Sequence, residues 1–157
     1  MEFLADNHPR IVHFAVALLF LYPFLEVSDV LLKKEFLLKT AHLILSLGVL
    51  AALGGVLTGN QAHQVAMVWE DKGAIMPFKA INEHSFWANL TVWYFVALLV
   101  LRTFFVIKKK YIGYFRLIFV VLSLAGLLLV YQTGNRGGKL VYKYGVGTEL
   151  KKLELEK

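Results

Sequence analysis

Apolar positions along this chain gather into four runs, covering about residues 11–32, 41–58, 86–107 and 111–133. Each run is close to the ~20 residues that a helix needs to cross ~30 Å of hydrocarbon. None shows the two-faced 3.6-residue period of a helix with one side in water, so helices that are apolar all round are predicted. The expected fold is all-α: an integral membrane four-helix bundle, up-down-up-down, in residues 1–134, with an outer loop over residues 59–83. Residues 135–157 then form an extramembrane basic tail bounded by glycines.

Composition supports the membrane class. Of 157 residues, 58% are hydrophobic and 18% charged, too few polar groups to coat a soluble bundle of buried helices. Glu2 and Asp6 precede the first run, with no basic segment before it and no small-x-small site after it, so it is expected to stay in the mature protein. Pro23 is expected to kink it. Lys33, Lys34 and Lys39 crowd the first connection and Arg102, Lys108, Lys109, Lys110 and Arg116 frame the third, whereas residues 59–83 carry only Lys72 and Lys79. The positive-inside rule then predicts a multi-pass protein of the cell (inner) membrane with both termini outside the cytoplasm. The tail cations, Arg136 and Lys139 among them, run against that bias. A net charge of +6 is accounted for by topology and lipid headgroups, so the bilayer is the expected partner and no nucleic acid is required.

The chain also repeats itself. Thr58-Gly59-Asn60 recurs 75 residues later as Thr133-Gly134-Asn135, and Lys33-Lys34 as Lys108-Lys109, which predicts two similar helical hairpins in tandem. Gly48, Gly54, Gly55 and Gly59 concentrate on the second run, where small residues let helices approach closely. Glu26 and Asp29 are read as a solvated interfacial pair, Asp29 within reach of Lys33, and His42 as interfacial.

Candidate chemistry collects at the opposite, outer end. There is no cysteine, which excludes disulfides, c-type haem attachment and iron–sulfur ligation. Four of the five histidines, His8, His13, His63 and His84, fall at ends of runs that face one side. Pro9 suits a first helical turn, with Asn7 or His8 placed to cap it. Ala62, Val65, Ala66 and Trp69 have the spacing of a helix lying in the interface, which would carry His63 back over the bundle mouth. Neutral imidazole ligates haem iron, zinc and copper. His13 and His84 are the first expected ligand pair, bracketing a b-type haem, with His8 and His63 as a second site or as supporting groups. Arg10, Arg136 and Lys139 are expected at the level of haem propionates. A Zn or Cu ion on the same histidines, and no cofactor at all, remain open alternatives. No H-E-x-x-H or similar spacing joins Glu70, Asp71 or Glu83 to the histidines, so an enzyme acting by itself is not expected. In the tail, residues 139–144 alternate with period two, which predicts a short extended flap over the mouth.

His8-Pro9-x-x-Val12-His13-Phe14, Thr58-Gly59, His84, and Gly137-Gly138-Lys139-Leu140-Val141-Tyr142 followed by Gly145-Val146-Gly147 resemble the bacterial "domain of unknown function 2231" membrane family over nearly the whole chain. The resemblance implies a four-span membrane protein, sometimes joined to redox modules. It favours an electron-transfer subunit that works with redox partner proteins or quinone. A cofactor-free structural or assembly subunit, in an oligomer or a larger complex, is the competing expectation.

Overall fold

The computed structural model describes residues 2–148. Four helices, α1 (Glu2–Leu32), α2 (Glu35–Asp71), α3 (Phe78–Ile107) and α4 (Tyr114–Tyr142), account for nearly all of it. All four are long and apolar enough to cross a membrane. Helix α1 packs on α2 and α4, and α3 packs on the same two, so α1 and α3 face each other along a diagonal. Phe14, Phe24, Leu50, Trp93, Val100 and Leu128 are more than half exposed on the outside of the bundle. In water each would forgo about 1.5–3 kcal/mol of burial; against lipid tails that cost disappears.

Helix ends on the histidine side depart from expectation in one consistent direction: they run beyond the expected limits, past Pro9 in α1 and past glycines in α2 and α4. Helix α1 starts at Glu2, so Pro9 lies inside it and neither Asn7 nor His8 caps it. Asn7 instead donates to the Phe3 carbonyl at 2.8 Å. Helix α2 continues through Gly59 to Asp71, which shrinks the outer loop to residues 72–77. The stripe read as a separate interfacial helix is its last turns. Ala66 and Trp69 join Ala74, Met76, Ile81 and Leu140 in a small apolar cluster beyond the histidines, and that packing draws the helix out. Helix α4 likewise passes Gly134, Gly137 and Gly138, so residues 139–142, expected to be extended, are helical. The chain turns back only at Gly145, whose φ of +66° favours glycine. A hydrogen bond of 2.9 Å from the Val146 N–H to the Leu140 carbonyl then lays Val146 on the same cluster. The charged segment after Thr148 lies outside the described residues.

Buried positions of the two hairpins correspond, but their register is not the 75 residues of the Thr-Gly-Asn motif. Along the diagonal, buried Ala15, Leu19, Tyr22 and Glu26 of α1 correspond to buried Thr91, Phe95, Leu98 and Arg102 of α3, each pair 76 positions apart (Leu19 to Phe95). Lys33 and Lys109, both at φ 53°, end these helices with the same spacing. Buried Ala41, Leu45 and Ala52 of α2 correspond to Phe119, Ser123 and Val130 of α4 at 78 positions (Ala41 to Phe119). Gly48 and Gly126 obey that second offset and do the same work: a Cβ on Gly48 would lie 2.7 Å from Leu19, and one on Gly126 would lie 2.6 Å from Phe95. The longer connection after α3 moves α4 by two residues, which hides the repeat from a motif search.

Candidate functional site

Two polar pairs sit on the α1–α3 diagonal, separated by about 27 Å at 1.5 Å per residue. At one end are His8 and His84; at the other are Glu26 and Arg102. The spacing is close to the thickness of the hydrocarbon core, so each pair lies near one of its borders.

His8 and His84 occupy equivalent seats. The His8 ring lies on Gly59, where a Cβ would come within 3.0 Å of its Cε1, and the His84 ring lies on Gly137 with the same 3.0 Å approach. Both glycines are needed because a larger residue would occupy the space of the imidazole. The Nδ1 of His8 is 3.0 Å from the Thr58 hydroxyl. That hydroxyl donates back to the Gly54 carbonyl at 2.9 Å, so it accepts from the imidazole. The Nδ1 of His84 is 3.2 Å from the Thr133 carbonyl, which can only accept. These partners assign the Nδ1–H tautomer to both rings, leaving the lone pair of each neutral imidazole on Nε2. A ring nitrogen fixed by an acceptor while the other presents its lone pair is the usual state of a metal-bound histidine.

The remaining candidates are placed differently. His13 is exposed on α1 and its Nδ1 contacts the Pro9 carbonyl of its own helix at 2.5 Å, so the structure does not bring it together with His84. His63, one turn past Gly59, meets Asn82 at 3.3 Å and lies edge-on to Phe78. Arg10 is exposed and donates to Asn7 at 3.1 Å. Arg136 lies 4.4 Å over the Trp87 ring and donates to Gln132. With Lys139, Lys143, Glu83 and Tyr144 it lines a cavity of about 410 Å³ on the α3–α4 side. Among the described residues no three His, Asp or Glu side chains converge as a metal-holding group.

The opposite end overturns the solvated-pair expectation. Glu26, Asp29 and Arg102 are each 0% exposed. The Arg102 Nε donates to Glu26 at 2.5 Å, and the Tyr111 hydroxyl donates to the other carboxylate oxygen. Burial and the neighbouring Glu26 carboxylate push the Tyr111 phenol above its ordinary range, so it stays a donor. Asp29 faces Arg116 at 3.6 Å instead of Lys33. His42 is half-buried, with its Nδ1 turned inward and unpartnered. A signal for this network was available: Glu26 and Arg102 are the ionisable residues at equivalent places in two apolar runs, and such residues are costly unless they pair.

Over residues 6–150 the chain matches the model of a family described as "Predicted membrane protein (DUF2231)". No curated protein and no solved structure matches it.

Proposed function

The chain belongs to the DUF2231 family of predicted membrane proteins, and for it we propose the role of a small electron-transfer subunit in which His8 and His84 would hold a b-type haem. One observation carries this reading: two equivalent imidazoles on facing helices, each with Nδ1 tied to an acceptor and Nε2 presenting a lone pair. A set of two imidazole donors fits haem iron better than a zinc ion, which takes four ligands. It also changes the expected partner of His84 from His13 to His8. Arg136 and Lys139 are the cations available to haem propionates near the same level. Bound there, haem would supply one-electron chemistry, exchanged with redox partner proteins or quinone at the histidine end.

A second reading has its own support. Each imidazole already has a glycine to pack on and a hydrogen-bond partner, as a histidine that only spaces helices would. A visible spectrum of protein purified in mild detergent from haem-replete cells separates the two. The haem reading expects a Soret band and a sharp reduced α-band after dithionite, lost in His8→Ala and kept in His13→Ala. A protein without visible absorption from such cells belongs to the second reading. Elemental analysis of the same sample tests zinc and copper.

A further inference from the structure

The buried network at the Lys33/Lys109 end contains more polar atoms than it satisfies. Glu26 is complete: Arg102 neutralises it and Tyr111 bonds its second oxygen. Around that pair, five buried atoms have no hydrogen-bond partner: the Tyr22 hydroxyl, both carboxylate oxygens of Asp29, His42 Nδ1 and Arg102 Nη1. They come from three helices, and the electrostatic neighbours of Tyr22, Asp29 and His42 all include Glu26 and Arg102, so they surround one locus. Leaving a buried polar atom without a partner is costly, so five at one place favour a hydrated locus. Donors and acceptors are mixed there, with a cation on either side of the carboxylates, which suits water and disfavours a metal cation or an anion. Arg116, beside Asp29, is 23% exposed and connects the locus to the membrane surface. The 3.6 Å between Arg116 and Asp29 is an ion-pair contact without a hydrogen bond, which leaves the Asp29 oxygens open to water.

We propose that this locus is a hydrated proton-binding site in which Asp29 carries the exchangeable proton, loaded from the Lys33/Lys109 end past Arg116. The charged and titratable groups next to Asp29 are Glu26 of α1, Arg102 of α3, Tyr111 of the following connection and Arg116 of α4, and Tyr22 of α1 and His42 of α2 lie around the same Glu26–Arg102 pair. Glu26 is bonded to both Arg102 and Tyr111, whereas Asp29 has a cation at 3.6 Å and no hydrogen bond, so Asp29 is the carboxylate whose oxygens are open to a proton. Loading transfers H⁺ from a surface hydronium to an Asp29 oxygen and leaves water behind; no electron moves. The inference stands independently of the haem reading.

Infrared difference spectroscopy of the full chain in lipid nanodiscs, stepped in pH, tests it. A protonated-carboxyl C=O band should appear on acidification, shift in D₂O, vanish in Asp29→Asn and persist in the surface control Asp71→Asn. Arg116→Gln should keep that band to higher pH, because the nearest cation is gone. If Asp29→Asn does not fold, Asp29→Glu should move the band in frequency. A carboxyl band unchanged in every Asp29 variant, or none beyond those of exposed acids, overturns the proposal.

Discussion

Arg102→Leu is expected to be the most damaging single change in the chain, lowering stability in detergent by about 3–5 kcal/mol. Arg102 and Glu26 are both 0% exposed and joined at 2.5 Å, so the substitution strands a carboxylate inside the bundle with Tyr111 as its remaining donor. Arg102 also donates to the Leu38 carbonyl at 3.2 Å, so α2 loses a tie as well. Most of the damage is the desolvation of an unpaired charge, and removing the second charge should therefore repair it. Denaturant or thermal unfolding of Arg102→Leu against Glu26→Leu/Arg102→Leu measures this directly. The double variant should recover most of the loss; if it is no more stable than the single one, the pair acts through shape instead of charge.

Next in size is Gly126→Val, expected to cost about 1–3 kcal/mol through overpacking. Its Cβ would lie 2.6 Å from Phe95 Cζ and 3.1 Å from Tyr94 Cε1. Neither ring can withdraw, since Phe95 is 0% exposed and the Tyr94 hydroxyl is fixed to the Leu122 carbonyl at 2.7 Å. At the equivalent Gly48, the close atom is the Cδ2 end of Leu19, a flexible group, so Gly48→Ala should be the milder change. Gly134 has nothing within 4 Å of its Cβ direction, and Gly134→Ala should be neutral or stabilising by up to about 1 kcal/mol from helix propensity. The same unfolding measurement ranks the three; Gly134→Ala proving as harmful as Gly126→Val would remove the close-packing explanation.

That contrast also explains what was legible in the amino-acid pattern. Four spans were readable because lipid demands length and apolarity, and both are written locally. The helix ends were not, because Gly59, Gly134 and Gly137 look like stops until their neighbours are known. Gly59 and Gly137 are helical since a histidine ring from the adjacent helix fills the space of the missing side chain. The histidine end was found by clustering, yet the pair within it was misjudged. His13 and His8 are five positions apart on α1, well over one turn, and only the helix rotation fixed by Ala15, Leu19 and Tyr22 turns His8 inward. The repeat was detected from Thr-Gly-Asn, whose two copies make different contacts: Thr58 meets His8 through its hydroxyl, Thr133 meets His84 through its carbonyl. The offset of 76 could have been found by aligning polar residues inside apolar runs, which pairs Glu26 with Arg102 and His8 with His84, and the offset of 78 by aligning glycines, which pairs Gly48 with Gly126 and Gly59 with Gly137.

Placed this way, the duplication puts one complementary pair and one identical pair on a single diagonal. At one end, opposite charges at equivalent positions give a bonded ion pair; at the other, histidine at both positions gives two nitrogen donors. The central claim is the proposal that these two donors would hold a haem. Electron paramagnetic resonance of the purified, oxidised protein tests it most directly. A low-spin ferric signal of the bis-imidazole type is expected, absent in His8→Ala and in His84→Ala and unchanged in His13→Ala; no ferric haem signal, or one that survives both substitutions, would contradict the account.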